Sequence, residues 1–161
     1  MIGQDELKAL LSYSPETGVF TWIAEKRSGL PKSRIAGTLR PKGYVTICVA
    51  GKVYSAHRLA WLYMTGAFPL DQIDHINGKK NDNSWRNLRD VSGSVNQQNR
   101  NTPMATNSAR MLGAFRSGKL FCSKIRIDGE QKYLGTFKTA EAAHQAYLRA
   151  KAQYHEGYAP C

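Results

Sequence analysis

The chain has 161 residues, 42% of them hydrophobic, with 23 Lys and Arg against 12 Asp and Glu and a formal net charge of +11. That length allows one compact domain or two small ones, and the apolar fraction argues against wholesale disorder. No run of eighteen apolar residues occurs, and Met1 to Leu11 carries Asp5 and Glu6 without an apolar centre, which argues against a helical membrane span and a secretory signal.

The basic charge is unevenly placed. Lys26 to Arg58 holds eight Lys and Arg and no acid, and Val91 to Ile127 holds six and again no acid. Acid-free stretches of this kind build positive surfaces that attract a polyanion. The chain lacks the amphipathic basic helix or lipidation signal that a membrane surface would need. Cys48, Cys122 and Cys161 are odd in number and widely spaced, with no Cys-x-x-Cys pair. They suit neither a disulfide scaffold nor a Cys-ligated zinc site, so no structural zinc is expected, and reduced thiols point to the cytoplasm.

In chain order, Leu7, Leu10 and Leu11 fall at helical spacing and predict a short helix over Asp5 to Ser12. Ser14 to Gly18 is turn chemistry leading into a strand at Val19 to Ile23. Lys26 to Pro41 is predicted to be a basic loop. Tyr44 to Val49 is a β-branched strand, turned by Ala50-Gly51 into Val53-Tyr54. The period then changes. His57 to Thr65 places Leu59, Leu62 and Tyr63 on one helical face, with Ser55 as the expected cap and Gly66 as the stop. Ile73 to His75 is a short strand, Asn77 to Ser84 a polar loop, and Leu88 to Val91 a second strand. Ser92 is placed to cap a helix carrying Val95, Asn96, Asn99 and Arg100. Asn101 to Ser108 is predicted to be a linker. Beyond it come strands at Ala114 to Arg116, Leu120 to Ile127 and Gln131 to Phe137, with Asp128-Gly129 as a hairpin turn. Thr139 starts a last helix with a stripe of Ala143, Ala146, Tyr147, Ala150 and Tyr154.

The densest polar cluster runs from Asp74 to Asn99. Phosphodiester hydrolysis needs a base for water, positive charge at the phosphate and leaving oxygen, and fixed positions for both. A histidine suits the base, and oxygen donors suit a hard divalent cation. Asp74 and His75 are adjacent on a strand and point to opposite faces, so a twist or bulge is expected where they meet one site.

The run IDHINGKKNDNSWRNLRDVSGSVNQQN resembles the HNH (ββα-metal) motif of phage and intron-encoded homing endonucleases. Eleven residues separate His75 from Asn87 and eight separate Asn87 from Asn96, and the preceding HRLAWLYMTG resembles what precedes the motif in phage members. The resemblance implies that His75 is the general base, that Asp74 and Asn96 bind the metal, and that Asn87 holds the long loop and orients His75. The implied ion is magnesium, with manganese as the alternative, because Asn96 stands where many members have histidine and an amide oxygen disfavours zinc. Arg58 and Arg89 are candidate phosphate contacts. His144 and His155, on the last helix, read as ordinary surface or core-edge histidines.

Along Leu120 to Ile127 the residues alternate, placing Phe121, Ser123, Ile125 and Ile127 on one face and Cys122, Lys124 and Arg126 on the other. Lys124 and Arg126, joined by Arg116 and Lys132, are expected to make a basic open face of the sheet that enters a DNA groove. The segment LGAFRSGKLFCSKIRIDGEQKYLGTFKTAEAAHQAY resembles an AP2 domain, which implies DNA binding through the sheet. Its first hairpin is shorter than usual and Phe121 replaces the usual tryptophan.

The expected fold class is therefore α+β: a small β-rich N-terminal part leading into a ββα-metal motif, then a three-stranded sheet with a helix. The expected division is a nuclease domain over 1–101 with its core at about 72–101, a linker over 102–109, and an AP2-like module over 110–161. The expected function is a metal-dependent DNA endonuclease acting on double-stranded DNA, in a bacterial cytoplasm where the resemblance to phage members holds. No membrane and no protein partner is read from the chain. The rival is a non-catalytic DNA-binding protein that keeps the HNH scaffold. RNA binding ranks last, because no RNP-like aromatic pair or GXXG loop occurs.

Overall fold

A computed structural model describes residues 1–23, 34–100, 102–156 and 158. Residues 24–33 of the expected basic loop, residue 101 of the expected linker, residue 157 and residues 159–161 lie outside the described residues. The architecture is mixed α+β and divides into two compact units, Met1–Ser92 and Gly93–Cys161.

The first unit opens with α1 (Gln4–Leu10), β1 (Leu11–Tyr13) and β2 (Phe20–Trp22), then β3 (Ile35–Ala36) and β4 (Thr38–Leu39), where sequence patterning predicts only loop. Strands of two or three residues are too short for an alternating pattern to show. β1, β2 and β3 form one antiparallel sheet, and β4 pairs with β5 (Val45–Val49) and β6 (Lys52–Ser55) in a second. In β5, Ile47 and Val49 are buried while Cys48 faces out. Ala50 and Gly51 both take positive φ, 49° and 75°, and so supply the two left-handed residues of a tight hairpin.

α2 (Ala56–Thr65) buries Leu59, Ala60 and Leu62. It stops at Gly66, whose φ of 86° lets its N–H donate to the Leu62 carbonyl at 3.0 Å. Ser55 occupies the cap position but its hydroxyl makes no capping bond, contrary to expectation. β7 (Gln72–His75) and β8 (Leu88–Val91) form a two-stranded ladder around a long loop that ends in a 3-10 turn, Trp85–Asn87. Leu7, Leu11, Phe20, Ile47, Leu59, Ile73 and Leu88 share one apolar core, which fixes β7 and β8 against the N-terminal strands and α2.

The second unit begins with α3 (Gly93–Gln98), followed by β9 (Ala114–Ser117), β10 (Leu120–Ile127), β11 (Glu130–Phe137) and α4 (Ala140–Tyr154). β10 is the central strand of the antiparallel sheet, with Ser123 and Ile125 buried. Asp128 and Gly129, with φ of 50° and 85°, make the predicted turn. The Thr139 hydroxyl caps α4 by accepting from the Ala142 N–H at 3.2 Å. Gly113 lies so close to the Tyr147 ring that a Cβ there would overlap it, so a bare backbone is needed for the strand to approach the helix.

The α4 stripe departs from expectation at its end. Tyr154 is exposed, and Lys151 is the side chain that is fully buried. Its ammonium donates to the Arg100 carbonyl at 2.7 Å and lies 4.7 Å from the Tyr158 ring centre, and these contacts replace the water it gives up. Among the described residues, no helix is long and apolar enough to cross a membrane.

Candidate active site

His75 ends β7 and Leu88, its ladder partner, begins β8. The chain between them must leave and return within one strand spacing, which brings the two ends of the polar loop together. Asn87 closes them. Its side-chain amide donates to the Asp82 carbonyl at 2.7 Å, and its amide oxygen accepts from the Asn77 N–H at 2.9 Å. Its own carbonyl accepts from the Ile76 N–H at 2.9 Å. Asp82 adds a second tie by accepting from the Asn77 amide at 2.7 Å and from the Ser84 hydroxyl at 2.7 Å. Burial pushes the Asp82 carboxyl up, but the bonds from Ser84 and Asn77 outweigh it and hold the group below the ordinary carboxylate range.

His75 is 5% exposed. Its Nε2 lies 3.2 Å from the Asn83 amide oxygen, and the Asn83 amide nitrogen donates to the Asn81 carbonyl at 3.4 Å, which sets the direction of the amide. An amide oxygen only accepts, so Nε2 carries the hydrogen and Nδ1 is the nitrogen with the lone pair. Burial lowers the pKa of His75, while the Asn83 bond and the Asp74 carboxylate partly oppose the shift. A neutral imidazole with a defined tautomer is the form that can accept a proton from water.

Asn83 is held from the N-terminal hairpin. The Tyr13 hydroxyl donates to the Asn83 carbonyl at 2.7 Å, and the Trp85 N–H donates to the Pro15 carbonyl at 2.8 Å. Gly18 sits at φ 72° against this segment, where a Cβ would fall 2.2 Å from the Asn83 carbonyl carbon. Burial, followed by the nearby Asp82 and Glu16 charges, raises the Tyr13 phenol well above its usual range, so it stays a donor. The β1–β2 hairpin thus fixes the residue that fixes His75. Sequence patterning alone assigns it no such part.

Asp74 lies one residue earlier and is 6% exposed. Its ladder partner is Arg89, whose Nε and Nη2 donate to the same Asp74 oxygen at 2.9 and 2.7 Å. The β7–β8 register runs unbroken from Gln72–Val91 to His75–Leu88, so of the expected twist or bulge the ladder contains no bulge. Arg89, a candidate phosphate contact by sequence, is engaged with a carboxylate.

Two further aromatic groups border His75. The His57 ring, from the start of α2, meets it edge-on with centroids 5.1 Å apart. The Tyr44 ring lies 5.5 Å from His57 and 6.1 Å from His75. His57 is 9% exposed, and among the described residues its buried Nδ1 has no hydrogen-bond partner. Burial, aided by His75 and Arg58, pushes its pKa down to about 4. Arg58 itself lies over the Phe68 ring at 5.8 Å.

Asn96 is on α3, which belongs to the second unit. The donor chemistry of the two expected ligands is one carboxylate and one amide oxygen, which fits magnesium or manganese. Among the described residues, no group of three or more His, Cys, Asp and Glu could hold a metal ion.

In the second unit, register assigns the basic residues to faces, because directly paired residues share one. Lys124 pairs with Tyr133, Cys122 with Phe115, and Arg126 with Gln131, all on the open side. Lys132 pairs with Ile125 and Arg116 with Phe121, so these two belong to the other face, contrary to expectation. Lys132 accordingly reaches α4, where its ammonium lies 4.7 Å from the Tyr154 ring centre and donates to the Tyr154 hydroxyl at 3.4 Å. The open side also presents exposed Phe115 and Tyr133, and the Tyr133 hydroxyl is hydrogen-bonded to that of Thr136.

Residues 54–98 match the family model described as HNH endonuclease. The chain therefore carries an HNH endonuclease domain over those residues. A solved structure described as "DNA binding and cleavage by the HNH homing endonuclease I-HmuI" is similar at 21% identity and a TM-score of 0.45, over 92% of this chain and 88% of that one. No curated protein matches.

Proposed function

We propose, from the HNH endonuclease domain in residues 54–98, that this protein hydrolyses DNA phosphodiester bonds with the help of a divalent metal. The observation that carries the proposal is the buried His75 imidazole, hydrogen-bonded by Asn83 through Nε2. In this reading Nδ1 removes a proton from water as the water oxygen attacks phosphorus, and the bond from phosphorus to the leaving oxygen breaks. Asn83 fixes the ring, and Asn87 fixes the loop that presents it. Asp74 and Asn96 are the residues that would hold the ion. A magnesium or manganese ion would supply positive charge to offset that developing on the phosphate and the leaving oxygen. Two protein donors, one of them uncharged, would make a weak site.

Residues 110–161 are the DNA-binding module in this reading, with an AP2-like sheet and helix. Lys124 and Arg126 contact the duplex from the open side, with exposed Arg116 adding charge at the rim. Site preference then combines direct contacts with DNA deformability.

One observation favours the rival, a DNA-binding protein without catalysis: the Asp74 oxygen that accepts from Arg89 already has a cation beside it. Incubation of supercoiled plasmid with magnesium or with EDTA separates the two. The nuclease produces nicked or linear DNA only with metal. Metal-independent DNA binding with an intact plasmid supports the rival.

A further inference from the structure

Lys80 is exposed and belongs to the loop that the Asn87 clamp closes. Its backbone lies inside a hydrogen-bonded turn, in which the Asp82 N–H donates to the Lys79 carbonyl at 3.0 Å. The Asn77 side chain accepts from the Lys79 N–H at 2.8 Å immediately before it. Its ammonium lies 4.9 Å from the centre of the Tyr44 ring. Its aliphatic stem runs past Gly43, where an added Cβ would stand 3.7 Å from the lysine Cδ. The Tyr44 ring is in turn 6.1 Å from that of His75. One aromatic ring therefore lies beside both the base and a cation.

Phosphodiester cleavage builds negative charge on the phosphate oxygens, and a preorganised cation there lowers the barrier more than one that must be ordered during reaction. Arg89 is committed to Asp74, and Asn96 brings no charge. The Lys80 ammonium is exposed, positive and held against an aromatic face that leaves its donors available.

We propose that Lys80, steadied on Tyr44 beside His75, is a catalytic residue that contacts the phosphate being cleaved. This rests on the nuclease reading above. Lys79, the preceding residue of the same loop, is also exposed and serves as the control for bulk charge.

The test is single-turnover cleavage of a plasmid in magnesium, with DNA affinity measured in parallel, for wild type, Lys80→Met, Lys80→Arg, Lys79→Met, Tyr44→Phe and Tyr44→Leu. Lys80→Met is expected to slow cleavage by about 10- to 100-fold at saturating DNA, with affinity changed less than about threefold. Lys80→Arg should recover part of the rate. Tyr44→Leu should fall in the same direction, and Tyr44→Phe, which keeps the ring face, should lose less than Tyr44→Leu. Lys79→Met should keep the wild-type rate. A Lys80→Met rate within twofold of wild type overturns the proposal, as does a loss confined to affinity or an equal loss in Lys79→Met. If wild type itself does not cleave, the nuclease reading fails; if wild type cleaves and Lys80→Met matches it, only the role of Lys80 fails.

Discussion

Arg89 stands directly across the β7–β8 ladder from Asp74 and donates two hydrogen bonds, at 2.9 and 2.7 Å, to a single carboxylate oxygen. Register and charge thus act together: a slip of one residue would carry the guanidinium to the other face and take it away from the buried carboxylate. Arg89→Ala is expected to lower unfolding stability by about 1–3 kcal/mol at neutral pH, below the full cost of breaking a buried pair because Arg89 is partly exposed. Arg89→Lys should restore only part, since an ammonium cannot reproduce the fork. Denaturant titration of the three proteins measures this. Wild-type stability in Arg89→Ala would show that the pair contributes little.

Asn83 is expected to act on rate more than on binding. Replacing it with Ala removes the acceptor from His75 Nε2, so the tautomer that leaves Nδ1 as base is no longer favoured. The expected loss in single-turnover cleavage is about 10- to 100-fold, within the range that general-base catalysis supplies. DNA affinity should be unchanged. A stability loss of about 1–3 kcal/mol should accompany it, because a buried N–H loses its partner. Unchanged cleavage with the same fall in stability would make Asn83 purely structural.

His57 gives the fold a pH dependence of known sign. Its pKa is about 4 in the folded chain against 6.5 for an unperturbed imidazole. The unfolded state therefore binds the proton more readily. The stability tied to neutral His57 is complete above pH 6.5 and is lost as pH falls to 4, by at most about 3 kcal/mol. His75, also lowered by burial, adds in the same direction. Equilibrium unfolding at pH 7.5, 5.5 and 4.5 should show the fall, and His57→Phe should flatten it. An equally steep fall in His57→Phe would assign the effect to other groups.

The open face of the second unit should read out in salt. Lys124→Ala with Arg126→Ala is expected to weaken DNA binding and to reduce the slope of log affinity against log salt by about 1 to 2, one for each lost phosphate contact. Lys132→Ala, whose side chain is engaged with Tyr154 on the other face, should leave the slope closer to wild type. Equal effects of the two variants would contradict the face assignment.

Much of this was legible in residue order because it is local. The periodicity of Leu59 and Leu62 marks α2, Gly66 marks its end, and Asp128-Gly129 marks the β10–β11 turn; each depends on neighbours within a few residues. The run that carries His75, Asn87 and Asn96 resembles the HNH motif, and the family match over 54–98 covers the same segment. What was not legible depends on distant partners. Asn83 owes its position to Tyr13, seventy residues away. Lys151 looks like a solvent residue on α4 until the Arg100 carbonyl is brought to it. Lys132 appears to extend a basic face until pairing with Ile125 assigns it to the other one. The two-residue strands β3 and β4 leave no periodic trace at all.

The proposed mechanism turns on the His75 imidazole as the base. Single-turnover cleavage of supercoiled plasmid in magnesium, comparing wild type with His75→Ala at saturating protein, tests it most directly. His75→Ala is expected to cleave at least about 100-fold more slowly while binding DNA as tightly as wild type. Cleavage by His75→Ala at the wild-type rate would contradict it.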